Sequence, residues 1–550
     1  MGCGNIEPQS FKSYDITERE QIPVKPYPLA LNETVICVIG CTHAGTMAAI
    51  TLRHLDPHIR IIVFEKNPVV SFLGCGIHLA INKTCTDMTK MFYNSPATMR
   101  GMGIEIYPET AVDNINFGNK QLNSIDLKTN EKRSLQFTKA IIATGSVPVI
   151  PTIIDGIDYS GNVVDQIRKN LKRVLLCKNY QDAQRLVQLQ DPKKVLIIGA
   201  GLIGMELVWS FNSIGSKVTI ADHGEHILNK YFDLEYIELL EAACLELKID
   251  VWAKTRIVKI QETEYGVQLT AEKIIGDSIK TIQAVFDYVI LSTGFKPNTQ
   301  SILECSDQKL QNVKNVILVN NKQQTSIKDV YAIGDCCTCY NGILKQQMYI
   351  PLATHAIRQG VISAYQVTGN DLQQLGTNSS FGIQLFDYSL AATGLNYVDA
   401  KKTNEHVGRV VYSDYLWQKY CDKKVDNVIQ KEELGSHFNI LGDMVRDMAD
   451  MVIESFDMEV EQTEDQLISI IIIYREDTGK ILGCQVMGKQ DITQIVNAAS
   501  VAIQTEMTMQ ELAFSDLGGF DGETKPWGVL QMAAASVDIL VPDFEEEESQ

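Results

Sequence analysis

No apolar run in the chain of 550 residues approaches the roughly 18 to 20 that a helix needs to cross a bilayer, so a membrane-spanning protein is not expected. Basic excess is missing too. The 49 Lys and Arg against 68 Asp and Glu leave a net charge of −19, the wrong sign for a nucleic-acid partner, and solubility accounts for it. A secretory leader and a disulfide framework are also absent. The 13 cysteines, an odd number, therefore suggest a reducing, cytoplasmic setting with most thiols buried. Met1-Gly2-Cys3-Gly4-Asn5-Ile6 offers Gly2 for myristoylation and Cys3 for palmitoylation, although Ile6 stands where Ser or Thr is usual. Membrane association is expected only if Gly2 and Cys3 are lipidated.

What is present is a length for about three to four domains and two similar nucleotide-binding patterns. Residues 1–32 read as a polar N-terminal extension. The apolar run Val35–Ile39 then leads through Gly40, Cys41, Thr42, His43, Ala44 and Gly45 into a helix expected from Thr46 to His54, and a second strand covers Ile61–Glu65. This βαβ unit has Thr42 at the second glycine position, but Glu65 supplies a carboxylate for a ribose hydroxyl. An ordinary tight strand-to-helix turn is the alternative. The second unit is complete: Lys194–Ile198 runs into Gly199, Ala200, Gly201, Leu202, Ile203 and Gly204, a full GxGxxG, and the strand Lys217–Asp222 follows. Helix amides would face a pyrophosphate. Asp222 would accept from a 2′-hydroxyl and repel a 2′-phosphate, which favours NADH over NADPH. The alternative is a fold relic that binds nothing. Two dinucleotide sites in one chain imply electron transfer between two cofactors.

Further segments carry a resemblance. Lys139–Pro148 reads KAIIATGSVP, Tyr288–Thr299 reads YVILSTGFKPNT and Thr325–Asp335 reads TSIKDVYAIGD. These resemble the connecting and flavin-binding motifs of the pyridine nucleotide–disulfide oxidoreductase superfamily. GCTHAGT (Gly40–Thr46), SFLGCGIH (Ser71–His78), VLLCKNY (Val174–Tyr180), PLATHAIRQG (Pro351–Gly360) and LFDYSLAATGL (Leu385–Leu395) are similar to its single-cysteine NADH oxidase and peroxidase group, especially the oxidases. The resemblance implies an α/β fold with two Rossmann-like dinucleotide-binding domains and a C-terminal α+β dimerisation domain. FAD binding would span 33–155 and 286–372, NADH binding 156–285, and dimerisation 373–550, with an insertion at 412–464. It further implies an FAD site at Gly40, Thr42, His43, Gly45, Glu65, Lys66, Cys75, Ala143, Thr144, Gly145, Gly294, Asp335, Ala353 and Thr354. Gly199, Gly201, Ile203, Gly204, Glu206 and Asp222 fall to NADH. Asp335 would bind the ribityl chain, and a homodimer is expected. Pro526-Trp527 matches the family's C-terminal segment, whereas Leu517-Gly518-Gly519-Phe520-Asp521 departs from its aromatic-rich sequence.

Disulfide reductases of the superfamily pair two cysteines about five positions apart, but after Cys75 the next is Cys85. A one-cysteine cycle is implied, in which peroxide oxidises Cys75 to a sulfenic acid and two electrons restore it. The helix start after Gly45 and His43 would lower the thiolate's energy. Glu206 would lie near the nicotinamide. The plainer readings are a buried structural thiol for Cys75, a helix-start residue for His43 and a helix-dipole charge for Glu206. Cys336, Cys337 and Cys339 lack a second ligand pair for zinc and read as core.

Asp422–Glu433 has the spacing of an EF-hand loop, with Asp422, Asp426, the Val428 carbonyl and Glu433 as calcium ligands. Lys424 and Asn427 depart from it. Helical patterns flank the loop, through Tyr415, Leu416 and Tyr420 before it and Leu434, Phe438, Leu441 and Met444 after it. An inert charged insertion is the alternative. The expected activity is NADH oxidation by oxygen, giving water or hydrogen peroxide. NADH peroxidase and coenzyme A-disulfide reductase share the fold. A calcium-responsive flavin and nucleotide sensor with little turnover is the rival of another class.

Overall fold

A continuous apolar run such as Val35–Ile39 is satisfied only in a strand covered on both faces, and it becomes the centre of a parallel sheet. The structure is a computed structural model that describes residues 34–189, 191, 193–403, 406–415, 419–421, 459–461, 467–517 and 528–537. In it β1 (Val35–Ile39) lies between β2 (Arg60–Phe64) and the strand Lys139–Ile142, with Glu105–Tyr107 and Val330–Ala332 at the edges. All neighbours run parallel. Helix α1 (His43–Leu55) covers one face through Ala44, Ala48, Ala49 and Leu52. It begins at His43 rather than at Thr46, so the imidazole sits on its first turn. Helix Ala353–Val367 packs on α1 at Gly360, where a Cβ would come within 2.6 Å of the Ala44 carbonyl oxygen.

Two short helices, α2 (Ile77–Ile81) and α3 (Tyr180–Val187), pack on each other. The second nucleotide unit then repeats the first: β3 (Lys194–Ile198), α4 (Leu202–Ser213) and β4 (Lys217–Ala221). Its parallel sheet runs Asp250–Trp252, β4, β3, Tyr288–Leu291, Val174–Leu176. Each unit adds a three-stranded antiparallel sheet, at Thr110–Gln136 in the first and Thr255–Phe286 in the second.

The chain divides into two compact units. Both parallel sheets belong to one. The other comprises 226–246, 342–344 and 377–550, built on an antiparallel sheet in the order Phe381–Leu385, Tyr388–Gly394, Ile481–Gly488, Leu467–Arg475, Val407–Tyr415. Helices Thr493–Gln504, Met509–Ala513 and Val529–Ala535 share its core. Helix Leu234–Glu246 belongs here as well, because the Tyr236 hydroxyl donates to the Ser469 carbonyl at 2.6 Å and the Asp233 amide to Gln485 Oε1 at 2.8 Å.

The helix expected through Tyr415 and Tyr420 does not form. Tyr415 ends the strand Val407–Tyr415, and Tyr420 pairs with Val460 in a two-stranded ladder. Val410, Val411 and Tyr412 find cross-strand partners in Ile470, Ile471 and Ile472, and that pairing overrides helical spacing. Leu416, the candidate calcium ligands Asp422, Asp426, Val428 and Glu433, and the pattern from Leu434 to Met444 lie outside the described residues. So do Gly2, Cys3, Pro526, Trp527 and the acidic end Glu545–Glu548.

Two glycines separate packing from propensity. A Cβ on Gly45 would sit 1.9 Å from the Gly40 carbonyl oxygen, whereas one on helical Gly101 meets nothing within 4 Å. In thermal or urea unfolding, Gly45→Ala should cost about 3 kcal/mol or more, while Gly101→Ala should be neutral or add up to about 1 kcal/mol. Equal effects would contradict the packing described.

Candidate functional site

Both nucleotide cradles are built from the same close approach. Gly40 leaves β1 with φ of 101° and Gly199 leaves β3 with φ of 106°. A Cβ would lie 2.2 Å from the Ala143 carbonyl oxygen at Gly40, and 2.4 Å from that of Ser292 at Gly199. Gly204 repeats the Gly45 contact, with a Cβ 1.9 Å from the Gly199 carbonyl oxygen. Each helix therefore starts at its strand end with its amides free to receive phosphate. Thr42 is exposed at the N-cap of α1 with φ of −103°, so that position makes no demand for glycine's special backbone. Gly201 is the N-cap of α4, and Ile203 lies in its first turn.

A carboxylate from the next strand pins each cradle. Glu65 Oε2 accepts from the Cys41 amide at 2.6 Å, and its Oε1 accepts from Asn67, at 2.8 Å from the amide and 2.6 Å from the side chain. Asp222 Oδ2 accepts from the Ala200 amide at 2.8 Å, and Oδ1 from the Gly224 amide at 2.7 Å. Remaining lone pairs suit ribose hydroxyls. Burial pushes the Glu65 carboxyl up, and the hydrogen bonds from Asn67 and Cys41 oppose it. Lys66 lies 3.9 Å from Asp165. The cradles thus fit two dinucleotides: Gly40, Gly45, Gly199 and Gly204 admit no Cβ, and each cradle has its own carboxylate.

The segments after the two glycine turns pair with each other, Ser146–Pro148 against Phe295–Pro297, with Gly145 (φ 68°) and Gly294 (φ 97°) making the corners. The Thr144 carbonyl accepts from Asn298 Nδ2 at 3.2 Å. Asp335, on the turn Gly334–Cys336, accepts from the Ser146 hydroxyl at 2.6 Å. Lys178 Nζ donates to the same hydroxyl at 2.8 Å, stands 3.5 Å from Asp335 and lies 4.2 Å over the Phe295 ring. Ala353 and Thr354 open the helix whose Gln359 accepts from the Gly334 amide at 2.7 Å. Cys336, Cys337 and Cys339 are buried. Among the described residues, no group of three or more His, Cys, Asp or Glu is placed to hold a metal.

Cys75 sits on the turn Gly74–Gly76 just before α2, exposed and free. The thiol turn is close against Lys178, since a Cβ on Gly74 would be 2.8 Å from the Lys178 carbonyl oxygen. Burial pushes the thiol up, the Glu206 carboxylate adds to the rise, and Lys178 opposes both. The imidazole of His43 is occupied elsewhere than expected. It stacks on Tyr93 at 5.5 Å, with the Tyr93 hydroxyl 2.9 Å from Nδ1. Burial lowers its basicity, with Asp335 opposing and Lys178 assisting. Lys178 is a cation that favours the Cys75 thiolate, and Tyr93 engages Nδ1 of the His43 ring. Glu206 projects from α4, and burial raises its carboxyl to about 7. Sequence reasoning missed Lys178, Ser146, Tyr93 and His78. Lys178, Ser146 and His78 lie inside segments quoted for the resemblance, whereas nothing local marks Tyr93.

Two glycine-turn cradles in one compact unit, with a lone thiol and a carboxylate between them, define a dinucleotide-dependent redox protein. Residues 34–360 match the family described as pyridine nucleotide-disulphide oxidoreductase, and 450–517 match the dimerisation domain of that family. The chain belongs to this family, and within it to the NADH oxidase group. It is 30% identical to an NADH oxidase of Enterococcus faecalis over 91% of this chain and 98% of that one. It is likewise 30% identical to an NADH oxidase of Streptococcus pyogenes over the same shares. The solved water-forming NADH oxidase of Lactobacillus brevis, bound to NADH, superposes with a TM-score of 0.75 at 26% identity, covering 91% of this chain and 97% of that one.

The raised carboxyl of Glu206 has a consequence for stability. Its proton is held to higher pH in the folded than in the unfolded chain, so the associated stability is full below the ordinary carboxylate range and is lost as pH rises through about 7. Glu206→Gln removes this dependence. The melting temperature of the variant relative to the unmodified protein should climb between about pH 5 and about pH 8. A constant difference would contradict the environment described.

Proposed function

We propose that this chain is an FAD-dependent NADH oxidase that reduces oxygen to water, with Cys75 cycling between thiolate and sulfenic acid in a cytoplasmic homodimer. The observation that carries the reading is the lone thiol: Cys75 faces Lys178 and Glu206, while the Cys85 thiol donates to the Asp87 carbonyl at 3.3 Å. Named relatives and the dimerisation match support it.

In this reading the first cradle holds FAD through Gly40, Gly45 and Glu65, with Ala143, Thr144, Gly145, Gly294, Asp335, Ala353 and Thr354 around the remainder. The second holds NADH through Gly199, Gly201, Gly204 and Asp222. Bound FAD supplies the redox chemistry that takes a hydride from NADH and delivers electrons to oxygen. Asp222 selects the nucleotide, since its carboxylate accepts from ribose hydroxyls and repels a phosphate. Lys178 favours the Cys75 thiolate, which attacks one oxygen of hydrogen peroxide. The S–O bond forms, the O–O bond breaks, and the leaving hydroxide takes a proton to become water. Two electrons supplied by a second NADH, with one proton, then return the sulfenic acid to thiolate and release a second water. Tyr93 fixes the ring of His43 and therefore the direction in which that imidazole can exchange a proton.

FAD-loaded protein should consume about two NADH per oxygen and release no peroxide, and Cys75→Ser should consume about one and release equimolar peroxide. An unmodified protein that takes up no oxygen would sink the oxidase assignment; turnover of peroxide or of coenzyme A disulfide would then identify the acceptor. Separately, Asp222→Ala should reduce the preference for NADH over NADPH on the order of tenfold, read as the ratio of kcat/KM values. An unchanged ratio would remove Asp222 from nucleotide selection.

A further inference from the structure

His78 joins the thiol turn to the second cradle. Helix α2, which carries it, packs on α4 as well as on α3. His78 Nδ1 lies 3.1 Å from the Cys75 carbonyl oxygen and 3.7 Å from Glu206 Oε2, and the His78 carbonyl accepts from the Ser210 hydroxyl of α4 at 3.1 Å. A carbonyl can only accept, so Nδ1 carries the proton in the neutral ring and Nε2 is the basic nitrogen. The same protonated nitrogen lies 3.7 Å from Glu206 Oε2, too far for a hydrogen bond but near enough for the ring dipole to favour the carboxylate. The two side chains are 15% exposed each, so water screens this little.

The surrounding titratable groups come from four elements, and buried Cys177, next to Lys178, also feels Glu206. The thiol turn brings Cys75, the loop before α3 brings Lys178, and α4 brings Glu206. Helix α3 presents Asp182, held by Arg168 at 2.8 Å, and Arg185, which donates to the Leu171 carbonyl at 2.6 Å. Of these, Cys75 and Glu206 act on each other directly, because the Glu206 carboxylate raises the Cys75 thiol. A proton on Glu206 thus favours the thiolate, and loss of that proton disfavours it.

We propose that His78 is a positioning residue that ties the thiol turn to α4, through Nδ1–H to the Cys75 carbonyl and its own carbonyl to Ser210, and thereby couples the charge of Glu206, 3.7 Å from Nδ1, to the reactivity of Cys75. This rests on the reading of Cys75 as the redox thiol and of Glu206 as the carboxylate beside the nicotinamide. In this proposal the ring dipole of His78 opposes the burial that raises the Glu206 carboxyl. With the ring nitrogens removed but its bulk kept, the carboxyl stays protonated to higher pH.

The test uses the FAD-loaded protein without oxygen. The rate of iodoacetamide alkylation at Cys75, resolved by peptide mass spectrometry, and the rate of flavin reduction by NADH are each followed across pH. Both profiles should show an inflection from Glu206 that Glu206→Gln erases. His78→Phe, or His78→Leu if phenylalanine does not fold, should move it upward by about half a pH unit or more. His78→Asn, whose amide N–H reaches the Nδ1 position, should restore at least half of the shift. An inflection that stays in place in the apolar variants, or an asparagine variant that behaves like them, would overturn the proposal. The alkylation profile needs neither NADH nor oxygen, so failure of the oxidase reading leaves it able to decide.

Discussion

Everything in the nucleotide-binding unit depends on a helix resting directly on the turn that precedes it. The Gly45 and Gly204 positions leave no room for a Cβ, which would come within 1.9 Å of the carbonyl oxygens of Gly40 and Gly199. That contact brings the amino ends of α1 and α4 to the strand ends. It also lets Glu65 and Asp222 reach back to the Cys41 and Ala200 amides. Two cradles of one geometry then face a shared junction, where the paired segments Ser146–Pro148 and Phe295–Pro297 fix their spacing.

Charge at that junction is finely balanced. Lys178 stands between Asp335 and the thiol turn, while Glu206 approaches from the other cradle. Lys178 thus answers two carboxylates beside Cys75, with Cys177 buried next to it. Desolvation around the sulfur and the Glu206 carboxylate keep the Cys75 thiol a weak acid, which restrains its adventitious oxidation. Protonating Glu206 relaxes that restraint, so the thiolate becomes available when the nearby carboxyl is neutral. Cys37, Cys41, Cys177 and Cys336 are buried, whereas Cys85 is half-buried and Cys305 exposed.

Much of this was legible in the order of residues. Continuous apolar strands, glycine spacing and the terminal carboxylates of β2 and β4 announce both cradles, because each rule acts within about 30 residues of chain. Cys75 and Asp335 were marked by their motifs. The environment of the thiol was not. GCTHAGT marks His43, but the Tyr93 hydroxyl that engages its Nδ1 lies 50 residues away. Lys178 and Ser146 meet Asp335 only through tertiary folding. Tyr415 and Tyr420 were misread for a related reason: helical spacing in a short window was outweighed by cross-strand partners at Leu467 and Val460.

The central claim, a one-cysteine redox centre at Cys75, is tested most directly by trapping it. FAD-loaded protein would be treated with one equivalent of hydrogen peroxide in the presence of a sulfenic-acid reagent such as dimedone, then digested under non-reducing conditions for mass spectrometry. The account predicts a single adduct on the Cys75 peptide, absent when excess NADH precedes the trap. A disulfide joining Cys75 to another cysteine, or adducts that spare Cys75, would contradict it.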